Sequence, residues 1–289
     1  MKNFIVLTSS TEHLAGNLKK KLRNFEFIIP DKNKDGKRLF PDGEIYMRIS
    51  EVNNFKGARI IVLHSGSPYP NCGLIELELI LQILKDYKIM PEVFFTYFSY
   101  GQQDKIFENG ETNAAENLVK KLINYYKVKK IYIIDPHFGK MDWVKKYPII
   151  NVSAVPFLVQ RVKENFGKDI LFLSPDEGGK RRTGIFGLKK KRINSHKVEV
   201  ISSGIHVKGK TVAVIDDLLE TGGTLLRFYD FAKESGAKKI IALITHGVLE
   251  KGIKRVKNSF SEFYFTNTIK QKEANVDVVG LIADCINKF

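Results

Sequence analysis

The sequence predicts an α/β protein of two tandem domains, each a mainly parallel sheet flanked by helices. Three observations carry that reading. Short β-branched apolar runs alternate with stretches of helical apolar period, the pattern of strands joined by crossover helices. At 289 residues the chain is long enough for two α/β domains of ordinary size. The order of elements in the first half is repeated in the second, without close sequence similarity, on either side of a boundary near Pro148–Val152.

The elements follow in order. FIVLTSS (4–10) and the periodic EHLAGNLKKKL (12–22) form a first strand and helix, and ARIIVLHSGS (58–67) with LIELELILQILKDY (74–87) form another pair. MPEVFFTYFSY (90–100) is a further strand, followed by the polar segment 101–112, a helix over AAENLVKKLINYY (114–126) and the strand KKIYIID (129–135). Beyond the boundary come a helix over SAVPFLVQRVKENF (153–166) and a strand in DILFLSPDEGGKRR (169–182) that leaves through a glycine loop. The strand TVAVIDD (211–217), with its carboxylates at the carboxyl end, and the strand KKIIALITHG (238–247) complete the second half. The stretch from Leu188 to His206 is rich in Lys, Arg, Asn and Ser and weakly periodic, and reads as a hairpin or a mobile flap.

Composition narrows the function classes. A hydrophobic fraction of 43% is that of a soluble globular protein. The apolar run at the N-terminus covers only four residues, a first strand and not a signal peptide, and no stretch has the apolar length of a membrane span. Cys72 and Cys285 are too few and too far apart for a disulfide framework or a zinc cluster, so a cytoplasmic location is expected. The net charge of +15 fits a protein handling small polyanions. Much of it is lysine scattered over helices and turns, and no basic stripe interleaved with aromatics argues for nucleic acid.

The densest chemistry lies in TVAVIDDLLETGGT, residues 211–224. Adjacent Gly222 and Gly223 admit backbone geometry in which successive N–H groups turn inward as an anion-binding nest, and the helix starting behind them adds unpaired donors and partial positive charge. Thr221-Gly222-Gly223-Thr224 is therefore a phosphate cradle. Asp216 and Asp217 would repel phosphate but suit sugar hydroxyls or hydrated Mg²⁺. An anion cradle beside an acidic hydroxyl-binding pair describes a site for a phosphorylated sugar. This ordered series resembles the phosphoribosyl-pyrophosphate loop shared by type I phosphoribosyltransferases and ribose-phosphate pyrophosphokinases, and by itself does not choose between them.

Further segments make the choice. Phe40-Pro41-Asp42-Gly43-Glu44, the run Tyr97–Lys105 (YFSYGQQDK), Asp135-Pro136-His137, Ser174–Gly179 (SPDEGG), Lys190-Lys191-Arg192, Thr245-His246-Gly247 and Thr266-Asn267-Thr268 occur in the order found in ribose-phosphate pyrophosphokinases. The resemblance, to the shorter archaeal-type branch, runs over nearly the whole chain. It implies two type I phosphoribosyltransferase-like domains: 1–148 on the ATP side, and 149–289 with the ribose 5-phosphate loop. It implies that Phe40 packs on adenine while Asp42 and Glu44 accept hydrogen bonds from its amino group, the loop coming from a neighbouring subunit. Gln102, Gln103 and Asp104 would face ATP; the family usually has Arg where this chain has Gln102, which can hydrogen-bond but brings no charge. His137 would lie near the ATP phosphates and, with Asp176, hold Mg²⁺. Lys190 and Arg192, with Lys189 and Lys191 leaving the register open by one residue, would close over the reacting phosphates, and Asp216, Asp217 and Thr221–Thr224 would hold ribose 5-phosphate.

The implied activity is transfer of the pyrophosphoryl group of Mg²⁺·ATP to ribose 5-phosphate, giving AMP and phosphoribosyl pyrophosphate, by a homo-oligomer, dimer or higher, whose ATP site is shared between subunits. The alternatives are a phosphoribosyltransferase, which would require neither two such domains nor FPDGE and SPDEGG, and a non-catalytic regulatory relative, to which only Gln102 points.

Overall fold

The computed structural model describes residues 2–175, 178–180, 185, 189–192, 198–201 and 206–288, the last two strand segments before 206 by their backbone alone. The chain divides into two compact units. The first comprises Met1–Val152, Thr268–Lys270 and Val278–Phe289; the second comprises Ser153–Asn267 and Gln271–Asp277.

In the first unit β1 (Asn3–Leu7), β2 (Phe25–Ile28), β3 (Arg59–Ser65), β4 (Glu92–Tyr97), β5 (Lys130–Ile134) and β6 (Ile149–Val152) form one sheet in the order β2-β1-β3-β4-β5-β6. Every pairing is parallel. The crossovers carry α1 (Ala15–Lys21), α2 (Pro70–Asp86) and α3 (Ala114–Asn124). Asn113 caps α3 by accepting the Glu116 N–H, and Leu118, Val119 and Leu122 are buried against the sheet. The chain returns to this unit at its end, where α7 (Val279–Lys288) packs on α1. Arg59 fixes that return: its guanidinium grips Glu92 through Nε and Nη2 at 2.9 and 2.8 Å and donates from Nη1 to the Ile286 carbonyl at 2.8 Å. Burial alone would raise the Glu92 carboxyl, but these hydrogen bonds override it and hold it below the usual carboxylate range.

The second unit holds β7 (Ile170–Leu173), β10 (Thr211–Leu219), β11 (Lys239–Gly247) and β12 (Glu262–Phe265), all parallel, in the order β12-β11-β10-β7. A separate antiparallel ribbon pairs β8 (Lys189–Arg192) with β9 (Val198–Ile201), so the described backbone of the 188–206 stretch is a hairpin. Period two is plain in β10. Val212 and Val214 join the cluster under α5 (Gly223–Glu234) and α6 (Glu250–Ser259), while Ala213 and Ile215 join the cluster with Val155, Leu158 and Val162 of α4 (Val155–Phe166). A strand covered on both faces reads as a continuous apolar run, the pattern from which its burial is expected.

Candidate functional site

One strand end and the helix behind it set the geometry of the candidate anion site. The strand is longer than its apolar run: β10 continues through the two carboxylates to Leu219, paired with β11 by Asp216 opposite Ile244 and Leu219 opposite Gly247. The expected strand end at Ile215–Asp217 is corrected accordingly. β11 extends equally far, and its carbonyls and amides keep the ladder going past Ile215. Asp216 and Asp217 are 5% and 2% exposed, and an Asp216 carboxylate oxygen accepts the Asp217 N–H at 3.1 Å. By alternation Asp216 continues the face of Val212 and Val214.

Behind the strand, Gly222 takes a left-handed conformation with φ 79° and ends the loop as the residue before α5. The helix begins at Gly223, so Gly223 and Thr224 are its first turn. Among the described residues no protein acceptor takes the N–H groups of Thr221, Gly222, Gly223 or Thr224. Free donors at the positive end of a helix are what an anion requires. The loop is also braced from α6. Gly252 lies so close beneath it that a Cβ there would come within 1.7 Å of the Glu220 carbonyl oxygen, and Arg255 donates from Nη1 to the Thr221 carbonyl at 2.9 Å. Gly252 and Arg255 stand about thirty residues beyond the loop, and neither is expected from the sequence.

In the first unit the FPDGE segment is a tight hairpin tip. Leu39 and Ile45 bridge antiparallel, the Phe40 N–H donates to the Glu44 carbonyl at 2.8 Å, and the Asp42 carboxylate accepts the Glu44 N–H at 3.0 Å. The tip carries its aromatic outward: Phe40 is 44% and Leu39 50% exposed, with Tyr46 edge-on to Phe40 at 5.8 Å. Gln102 and Gln103 are exposed in the turn after β4, and Asp104 is half-buried. The Gln103 carbonyl accepts the Ala115 N–H at the start of α3, and the Asp104 carbonyl accepts the Trp143 indole N–H at 3.1 Å, so the backbone of this turn is pinned while its side chains remain outside. His137, half-buried, follows β5 beyond Asp135, whose φ is 34°. Phe138 behind it is fully buried against Phe98 and Trp143.

Asp176 lies outside the described residues, as do the side chains of Lys190 and Arg192. Their backbone is described: Lys190 opposes Val200 and Arg192 opposes Val198 in the ribbon.

Among the described residues no three His, Cys, Asp or Glu side chains gather as a metal cage. Mg²⁺ does not need one; it keeps waters and takes one or two carboxylates beside phosphate oxygens. The adjacent buried carboxylates Asp216 and Asp217 within β10 are hard oxygen donors of that kind, so the residues present fit a hydrated Mg²⁺. No helix among the described residues is long and apolar enough to cross a membrane.

Known proteins resemble this chain along nearly its whole length. The phosphoribosyl transferase domain matches residues 157–281. A ribose-phosphate pyrophosphokinase of Pyrococcus furiosus is 31% identical over 98% of this chain and 100% of its own length. That of Thermococcus kodakarensis is 32% identical over 84% of this chain and 88% of its own. The crystal structure of a phosphoribosylpyrophosphate synthetase from Mycobacterium smegmatis shares the fold, with a TM-score of 0.83 at 24% identity over 99% of this chain and 98% of that one. A single phosphoribosyl transferase domain accounts for less than half of the sequence, whereas these relatives account for both halves. The chain belongs to the ribose-phosphate pyrophosphokinase family.

Proposed function

We propose that this chain is a ribose-phosphate diphosphokinase, moving the β,γ-pyrophosphoryl group of ATP to the C1 hydroxyl of ribose 5-phosphate. The C1 oxygen bonds to the β-phosphorus, the bond from that phosphorus to the α,β-bridging oxygen breaks, AMP leaves with that oxygen, and the hydroxyl proton passes to solvent. The observation that carries the reading is the extent of the similarity: relatives named for this activity align with 98% of the chain, not with the phosphoribosyl transferase domain alone. That extent disfavours a phosphoribosyltransferase.

Each half has its part. In the second unit, the free N–H groups of Thr221, Gly222, Gly223 and Thr224 bind the 5-phosphate, and Asp216 and Asp217 accept hydrogen bonds from the ribose hydroxyls. In the N-terminal domain, residues 1–148, Gln102, Gln103, Asp104 and His137 bind the triphosphate. Phe40, Asp42 and Glu44 belong to the adenine site of a neighbouring subunit in a homo-oligomer; an outward-facing aromatic at a hairpin tip supports that assignment. Lys190 and Arg192 are the cations proposed for the transferring group, whose charge fixed cations would stabilise as it spreads over the oxygens. Bound Mg²⁺, for which His137 and Asp176 are the proposed ligands, would neutralise phosphate charge. Positioning supplies most of the remaining rate. A cytoplasmic location fits both substrates.

The test is direct. Incubation of the protein with Mg²⁺, ATP and ribose 5-phosphate should yield AMP and phosphoribosyl pyrophosphate in equal amounts. Absence of both products from a folded oligomer would overturn the assignment, and formation of a nucleotide from phosphoribosyl pyrophosphate and a free base would establish the transferase instead.

A further inference from the structure

Arg227 has the position and the charge to serve the phosphate cradle. It stands four residues after Gly223 and three after Thr224 on α5, and so on the same face of the helix as both. Helical side chains lean toward the N-terminus, and this one does: Nη2 lies 3.4 Å from the Thr224 hydroxyl. Nη1 is 3.6 Å from the point where a Cβ on Gly223 would stand, and the Thr221 hydroxyl is 3.8 Å from that same point. A guanidinium and a hydroxyl thus flank the bare backbone of Gly223, with a second hydroxyl against the guanidinium, at the N-terminus of a helix whose first N–H groups lack protein acceptors among the described residues.

The electrostatics are otherwise adverse. A cation in the first turns of a helix opposes the macrodipole. Among the described residues no carboxylate pairs with Arg227 to offset this. A phosphate monoester removes the conflict, since it carries close to two negative charges at neutral pH and offers oxygens that match the guanidinium fork.

We propose that Arg227 is the charged, specificity-determining contact for the phosphate end of the sugar, selecting ribose 5-phosphate over unphosphorylated ribose. The proposal rests on the reading of the β10–α5 loop as the sugar-phosphate site. Arg227 is exposed and outside the core, so its substitution leaves folding intact.

The experiment pairs steady-state kinetics with calorimetric titration of ribose 5-phosphate and of ribose into wild type, Arg227→Ala and Arg227→Lys. Arg227→Ala should raise the KM and the Kd for ribose 5-phosphate about tenfold or more, the range of a charge-assisted hydrogen bond. The KM for ATP and the binding of ribose should stay as in wild type, and Arg227→Lys should recover only part of the loss, because a point charge replaces a fork. Equal ribose 5-phosphate affinity in wild type and Arg227→Ala would overturn the proposal while leaving the activity standing. Arg227-dependent binding in a wild type that forms no phosphoribosyl pyrophosphate would uphold it and sink the reaction assignment. A wild type that binds no ribose 5-phosphate would overturn both.

Discussion

Two strand ends in this chain have the same place in their sheets and opposite characters. Read from one edge, β7-β10-β11-β12 of the second unit repeats β1-β3-β4-β5 of the first, so β10 and β3 correspond. Each leads through a short loop into a helix, α5 or α2. After β10 the loop amides are free among the described residues and Thr221 is exposed. After β3 the same region is filled by the chain itself. The Ser65 N–H donates to the Ser10 hydroxyl at 3.1 Å and the Gly66 N–H to the Tyr97 carbonyl at 2.8 Å. The Ser65 and Thr96 hydroxyls both donate to the Thr268 carbonyl. His64 is fully buried, its Nδ1 3.1 Å from the Thr8 hydroxyl, and burial pushes its pKa down to about 3. Architecture alone therefore does not make an anion site. The N–H groups must also be left over when the fold has satisfied itself.

Substitutions can separate the two loops. The largest effect is expected from Gly252→Ala, whose methyl group would meet the Glu220 carbonyl at 1.7 Å and force α6 off the loop. The KM for ribose 5-phosphate should rise by roughly a hundredfold, read by kinetics at saturating ATP. Gly66→Ala is the counterpart in the filled loop, where a methyl would come 2.5 Å from the Ser99 backbone nitrogen. It should cost about 1–3 kcal/mol of stability in denaturant unfolding, leaving the KM for ribose 5-phosphate as in wild type. A change in that KM would show that the β3 loop also serves the substrate.

Next comes His64. Held neutral in the folded chain down to about pH 3, it takes up a proton in the unfolded chain near pH 6.5, so it has no effect above that pH and destabilises the fold increasingly as pH falls below it. At pH 5 this amounts to about 2 kcal/mol. His64→Gln should flatten the acid limb of stability against pH between about 6.5 and 3; an unchanged slope would count against the buried neutral imidazole. The smallest effect is expected from Arg255→Ala, which removes one hydrogen bond at the surface of the open loop. The KM for ribose 5-phosphate should rise by about two- to tenfold, with partial recovery in Arg255→Lys.

What the sequence made legible follows the range of the forces involved. Local patterns were readable: the apolar run of β10, the glycine loop and the helix starting behind it are each fixed by neighbours a few residues away. The extension of β10 through Asp216 and Asp217 was not, because two carboxylates look like a strand end until β11 is known to run alongside them. Gly252 and Arg255 were hidden for the same reason. Their meaning depends on Glu220 and Thr221, about thirty residues earlier, and nothing in the run EKGIKRVKNS distinguishes a buttress from a solvated helix. Arg227 likewise resembles any exposed arginine until the free amides beside it are seen.

The Thr268 carbonyl and the Ile286 carbonyl have a consequence for synthesis. Both belong to the first unit, yet a ribosome makes them only after the whole of residues 153–267. Until then the Ser65 hydroxyl lacks its acceptor, the Thr96 hydroxyl has only the longer bond to the His64 carbonyl, and one donor of Arg59 lacks its helix end. The half that begins first is therefore completed last, and the nascent chain must carry an unfinished N-terminal sheet while the second unit emerges.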